Sequence, residues 1–239
     1  MPSHRDPAAA RVRPVASEQA VRWRSSRMTK AIDEHAFDIL DAQKAWMLGM
    51  LWADGSLSLP QRNTGHYIIV ASIDQWIPQM FKTILKSDAC IVEVSRSHLG
   101  PKWHNLFRFQ PGGLHYLGPK LERLGMAKLK PERIPPTILP DELIRDFIRG
   151  IFDADGYAGM SKHKSTHPEV SIAGYMPMLE WIQLRLPGKI HRLGNIFRLC
   201  CAVKHMPDWY DYLYYPECIC IERKRSEFVK IRERCSFQV

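Results

Sequence analysis

Nothing in this chain is long and apolar enough to cross a bilayer. The best stretches, Trp46 to Ala53 and Ile190 to Val203, are short or broken by charge, well under the ~20 residues a membrane helix needs. A secretory signal is not expected in residues 1–30, because they have no continuous apolar core. That segment is also poor in acid, with only Asp6 and Glu18 among its Arg, Ala, Ser and Pro, so residues 1–31 read as a disordered basic arm. Its composition overlaps with that of a mitochondrial transit peptide. The expected location is the cytoplasm, for a bacterial or phage-encoded protein, with the mitochondrion as the alternative. There is no C-x-x-C pair among Cys90, Cys200, Cys201, Cys218, Cys220 and Cys235, and no histidine spacing completes a zinc site, so reduced thiols are expected. Apolar residues are not scarce: at 45% of 239 residues they exclude wholesale disorder and allow one large domain or two small ones.

Acid is outnumbered overall. Thirty-four Lys and Arg against 25 Asp and Glu give a formal charge of +9, which favours a polyanionic partner through counterion release. The more specific signal is an internal repeat. Ala45 to Gly55 reads AWMLGMLWADG and Asp146 to Gly156 reads DFIRGIFDADG, so that Gly49, Asp54 and Gly55 recur as Gly150, Asp155 and Gly156 at a constant offset of 101. Each run is an apolar helix with a start signal, Asp41 for the first and Pro140-Asp141 for the second. Each stops at a glycine suited to a left-handed cap.

The order downstream recurs as well. After Gly55 the alternation predicts strands at 56–59 and 66–73, a helix at 74–86, strands at 91–96 and 106–110, and a helix at 114–124. After Gly156 it predicts a strand at 170–173, a helix at 176–186, a hairpin over 189–202 turning at Gly194-Asn195, and a helix at 207–215. A final helix at 223–234 has no partner in the first half. The prolines at 131, 135, 136 and 140 join the halves, placed at 32–134 and 135–239. The fold class expected is α+β, a tandem pseudo-twofold repeat of α-β-β-α-β-β-α.

Gly49 and Ala53 lie one turn apart, as do Gly150 and Ala154, and small residues at that spacing let helix backbones approach closely. Two such helices packed in parallel bring Asp54 and Asp155 side by side at their negative ends, an arrangement that demands a divalent cation; oxygen ligands favour Mg2+ over zinc. Asp153 is expected to pair with Arg149, four residues earlier. An EF-hand is excluded, because Tyr157 and Lys164 stand where ligands would be needed. If Tyr67, Ile69 and Ile73 face the helices, His66 and Ser72 face outward, as do Arg108, Gln110 and Arg198, beside Arg192 and Asn195. With Arg62, Lys162 and Lys164 in the intervening loops, these residue types suit phosphates and base edges in a DNA major groove.

With its two motifs at 47–55 and 148–156, the chain resembles the LAGLIDADG homing endonucleases of the single-chain kind. Similar text includes Leu124-Gly125 with Lys130 downstream, the approach from Leu143 to Gly150, and LYYPECICIERK over 213–224. Trp52 departs from the pattern, taking the place of an acidic residue at the sixth motif position. The resemblance implies motif helices at the interface of two pseudo-symmetric halves and a curved antiparallel sheet from each half on double-stranded DNA. It implies an endonuclease that makes metal-dependent double-strand cuts at a long, asymmetric target. Asp54 and Asp155 would share two or three Mg2+ ions with the carbonyls of Ala53 and Ala154, and Lys130 and Lys224 would be the basic catalytic residues. The chain would act as a monomer, a pseudo-dimer in one polypeptide. The competing reading is a related nucleic-acid-binding protein, an intron maturase or transcription regulator, that grips without cutting. An intein domain is disfavoured, since neither an initial Cys or Ser nor a terminal His-Asn is present. A protein-interaction scaffold would explain the repeat but not the placed aspartates.

Overall fold

The computed structural model describes residues 31–60, 65–160 and 167–236. Helix α1 (Ala42–Ala53) begins where Asp41 accepts a hydrogen bond from the Lys44 amide at 2.8 Å, satisfying one donor of the first turn. Its counterpart α4 (Ile144–Asp155) is led in by a 3-10 turn at Asp141–Leu143. Between them run β1 (Ser56–Leu57), β2 (His66–Ser72), α2 (Trp76–Ile84), β3 (Ile91–Val94), β4 (Leu106–Phe109), β5 (Gly112–Leu114) and α3 (Leu117–Arg123). After α4 come β6 (Gly156–Met160), β7 (Pro168–Gly174), α5 (Met176–Gln183), β8 (Lys189–Leu193), β9 (Ile196–Cys200), α6 (Met206–Leu213) and α7 (Glu222–Ser236).

The predicted order is present, with two additions. Strand β5 pairs with β2 where the helix was expected to have begun, and β6 follows directly on α4. Two antiparallel sheets result. One has the order β1-β2-β4-β3 with β5 also on β2; the other has the matching order β6-β7-β9-β8. The fold class is therefore α+β with two copies of one arrangement.

The motif helices pack backbone against backbone. A Cβ on Gly49 would stand 2.0 Å from the Phe147 carbonyl oxygen, and one on Gly150 would stand 2.1 Å from that of Trp46. Each glycine Cα is the other's neighbour, as parallel pairing about a pseudo-twofold requires. Trp46, Phe147, Ile148 and Phe152 are fully buried around this seam, and the indole of Trp52 meets the Phe147 ring edge-on at 5.7 Å.

Gly55 and Gly156 are needed for a different reason from the left-handed cap expected of them. Neither has positive φ, and Gly156 is extended at φ −80°. A Cβ on Gly55 would lie 2.5 Å from the Leu51 oxygen and one on Gly156 2.3 Å from the Phe152 oxygen, so glycine lets the chain fold back against its own helix end.

The faces of β2 are the reverse of those predicted. His66, Ile68 and Val70 are buried beneath the helices, whereas Tyr67 and Ile73 are exposed. Both parities of this strand carry apolar residues, so alternation could not choose. Gly118 of α3 decides it by leaving room for the His66 ring, which a Cβ there would strike at 2.3 Å. In the second sheet Val170, Ile172 and Leu199 fill the inner face, and Ala173, Arg198 and His191 align on the outer one.

Candidate active site at the seam of the motif helices

Because α1 and α4 touch along their length, they end together. Asp54 caps α1, its N–H bonded to the Met50 oxygen at 2.9 Å, and Asp155 is the last residue of α4. Burial pushes the Asp155 carboxyl up to about 6, helped by the charge of Asp54 and a hydrogen bond with it. The Nζ of Lys130 lies 3.5 Å from Asp54 and 3.8 Å from Asp155, a single ammonium between two carboxylates. A cavity beside them is lined by Ala53, Lys130, Arg133, Asp155 and Tyr175.

The helix ends themselves are capped by cations. Arg133 donates from Nη2 to the Gly55 oxygen at 2.8 Å, from Nη1 to the Trp52 oxygen, and from Nε to Ala127 at 3.0 Å. Lys224 donates to the oxygens of Phe152 at 3.1 Å, Ala154 at 2.9 Å and Gly156 at 2.7 Å. Gly55 and Gly156 are repeat equivalents, so the counterpart of Lys224 is Arg133 and not Lys130. This corrects the expected pairing of the two lysines. Burial pulls the Lys224 ammonium down to about 8 and also lowers the Arg133 guanidinium, against the opposing pull of the nearby aspartates. All three ammonium donors of Lys224 are used on carbonyls, whereas Lys130 is half-exposed at the carboxylate pair. The expected ligand oxygen of Ala154 is likewise already engaged by Lys224.

Asp153 does not pair with Arg149. Its Oδ2 accepts from Trp46 Nε1 at 2.8 Å and from the Ile221 amide at 2.9 Å, and its Oδ1 accepts from the Tyr214 hydroxyl at 3.2 Å. Burial pushes this carboxyl up to about 6. Arg149 turns to Asp146 at 2.5 Å and to the carbonyls of Ile219 and Leu213. Arg133, a lone cation in the proline-rich connection, escaped the sequence reading because nothing local marks it as the partner of a helix end.

Of the residues expected on the outer faces, Arg108 lies across from Ala71 and Val92, and Arg198 across from Ala173 and His191, as the alternation requires. Arg198 is held by Glu169 at 2.5 Å. Arg192 and Asn195 are exposed at the β8–β9 turn, where Arg192 donates to the Gly194 oxygen at 3.1 Å. Gln110 is half-buried just past β4. Ser72 accepts from the Asp74 amide at 3.1 Å and serves the turn into α2. His66 is not on this face: it is buried, with Nε2 3.2 Å from Glu122. Arg62, Lys162 and Lys164 lie outside the described residues.

The donor chemistry at the seam fits a hard divalent cation, because two carboxylates share one edge and already hold an ammonium between them. Among the described residues no cluster of three or more His, Cys, Asp or Glu offers a self-sufficient metal site. An ion here would take its remaining oxygens from outside the side chains. No described helix is long and apolar enough to cross a membrane.

Two sheets of one topology, joined at a seam of paired helices with a carboxylate at each helix end, define a pseudo-dimer built in a single chain. This is the fold of the single-chain LAGLIDADG homing endonucleases. The homing endonuclease I-WcaI bound to its DNA recognition sequence matches with a TM-score of 0.53 at 15% identity, over 90% of this chain and 95% of that one. The I-LtrWI LAGLIDADG homing endonuclease bound to target DNA matches at 0.54 and 12% identity, over 83% and 92%. A mesophilic variant of the homing endonuclease I-DmoI matches at 0.50 and 13%, over 77% and 96%. No protein-family model and no curated protein sequence matches the chain.

Proposed function

We propose that this protein is a site-specific DNA endonuclease that cuts both strands of a long, asymmetric duplex target by phosphodiester hydrolysis. The observation that carries the reading is the meeting of Asp54 and Asp155 at the ends of the two seam helices, with Lys130 between them. A fold used by DNA-bound homing endonucleases and a surplus of positive charge support it.

Asp54 and Asp155 would hold a divalent cation, Mg2+ being the one their hard oxygens suit. Such an ion, when bound, stabilises negative charge on the oxygens of a phosphodiester under attack. The chain's own residues do the rest. Lys130 is placed to donate to a phosphate oxygen once the carboxylates have another counter-charge. Arg133 and Lys224 offset the negative ends of the helices that present the carboxylates, so that the pair tolerates a polyanion nearby. Arg108 and Arg198, on the outer faces of different sheets, would read different halves of the target, which makes the target asymmetric.

The test is incubation with a randomised double-stranded DNA library and Mg2+, followed by sequencing of the cut ends. A single conserved cut sequence supports the reading. Specific retention of DNA without any cutting under Mg2+ or Mn2+ would overturn it in favour of a binding protein.

A further inference from the structure

The sixth motif position holds Trp52 in one half and Asp153 in the other, two side chains with no chemistry in common. The structure gives them one task. Trp52, 3% exposed, donates from its indole to the Ile134 oxygen at 2.9 Å, and Ile134 follows directly on Arg133. Asp153, 1% exposed, accepts from the Ile221 amide at 2.9 Å. Ile221 immediately precedes α7, and its carbonyl takes the first helical bond from the Lys224 amide at 2.9 Å. Each sixth residue thus grips the backbone of the segment that carries the cation to its own helix end. The first half uses a donor on a carbonyl, and the second an acceptor on an N–H.

We infer that Trp52 and Asp153 are positioning residues, each holding one capping cation, Arg133 or Lys224, on its own motif helix and through it one aspartate of the cleavage centre. The last clause rests on the proposed nuclease function; the holding of the cation does not. The supporting geometry is tight. Ile221 is anchored by Asp153 from the seam side, and Lys224, one turn into α7, has only to reach the carbonyls that follow Asp153 on the same chain. The remaining oxygen of Asp153 takes the Tyr214 hydroxyl, a group able to donate or accept. An asparagine at 153 can therefore keep its amide oxygen on Trp46 and Ile221 and turn its amide nitrogen to Tyr214, whose proton rotates away. A leucine of the same size cannot do either.

The experiment compares Asp153→Asn, Asp153→Leu and Asp153→Ala, all checked for cooperative melting. The first readout needs neither DNA nor metal: acylation of lysine amines, mapped by mass spectrometry. Lys224 should be protected in the parent and in Asp153→Asn. It should become reactive in Asp153→Leu and Asp153→Ala, which offer the Ile221 amide no acceptor, while half-exposed Lys130 reacts in every sample. The second readout is strand-resolved cutting of a confirmed target with Mg2+. One strand should slow about 10–100-fold in the leucine and alanine variants, the span usual for lost supports of a reactive group, with the other strand changed far less. If Asp153→Leu does not fold, Asp153→Ala against Asp153→Asn carries the same comparison. Protection of Lys224 in a folded leucine or alanine variant would overturn the inference, as would equal loss in Asp153→Asn. The expected labelling pattern in a protein that cuts no DNA would instead leave the inference standing and sink the nuclease reading.

Discussion

The two halves solve one problem with different parts. Each must neutralise the exposed carbonyls of its motif helix beside a carboxylate. The first half does so with Arg133 from an irregular, proline-rich connection, and the second with Lys224 from the first turn of a regular helix. On the outer faces, Arg198 is bound to Glu169 and lies across from Ala173 and His191, and Arg108 lies across from Ala71 and Val92. The comparison teaches that what the halves share is the position of a charge and not the residue that carries it. Equivalence in such a protein is found by tracing which carbonyls a cation caps.

The largest effect should come from the point where the halves are most alike. Asp54→Asn or Asp155→Asn is expected to abolish double-strand cutting, while specific DNA binding, measured without added metal, survives, because affinity comes from phosphate and groove contacts. Full cutting by either single variant would break the equivalence of the two carboxylates. The seam glycines come next. Gly49→Leu and Gly150→Leu press side chains against facing backbone, beyond the ~1–3 kcal/mol of ordinary overpacking, and both should lose cooperative melting or the matched helix ends. A parent-like melt in both would refute the close packing.

A pH series sharpens the contrast between the halves, because the two carboxyls pushed up to about 6, Asp153 and Asp155, both sit on α4. Each binds a proton more tightly folded than unfolded. Their contribution to stability is full below the ordinary value of 3.8 and is lost as pH rises through about 6. In metal-free buffer the melting temperature should therefore fall across that window, and Asp155→Asn should flatten part of the fall and melt above the parent at neutral pH. An unchanged profile in Asp155→Asn would contradict the burial of that carboxyl. The smallest effects concern the arginines. Arg108→Ala should relax base preference in one half of the target by ~1–3 kcal/mol if the contact is bidentate to guanine. Glu169→Gln should alter preference only in the other half, by loosening Arg198. Uniform weakening across both halves, in a profile taken base by base, would show that neither side chain reads sequence.

Much of this was legible in the chain, and the rest was hidden for physical reasons. Matched glycines and Asp-Gly steps at a constant offset were enough for the seam, because only glycine permits that approach and no other residue type mimics it. The faces of β2 were not legible, since Ile68 and Val70 compete on equal terms with Tyr67 and Ile69 until Gly118 makes room for His66. Arg149 had an acid at both helical spacings, Asp146 and Asp153. The choice between them was made by the carbonyls of Leu213 and Ile219, more than sixty residues away. Arg133 lay beyond reach for the same reason, and Lys224 was named only through the resemblance and not as a cap: a capping cation is recruited by the tertiary path of its segment, which local periodicity does not encode.

The bond from Trp46 to Asp153 also acts as an identity check between the halves. It crosses the seam, and its mirror under the pseudo-twofold is the edge-on contact of Phe147 with Trp52. Two copies of the first half brought together would set Trp46 against Trp52, whose indole already serves Ile134, and leave the Trp46 N–H with no acceptor. Two copies of the second would set Phe147 against Asp153 and take from that buried carboxylate the one donor it receives across the seam. Only the mixed pair satisfies every group, so mispairing with another molecule is penalised by unmet polar demand and not by shape alone. The two halves, alike in topology, thus form a lock that opens to one key.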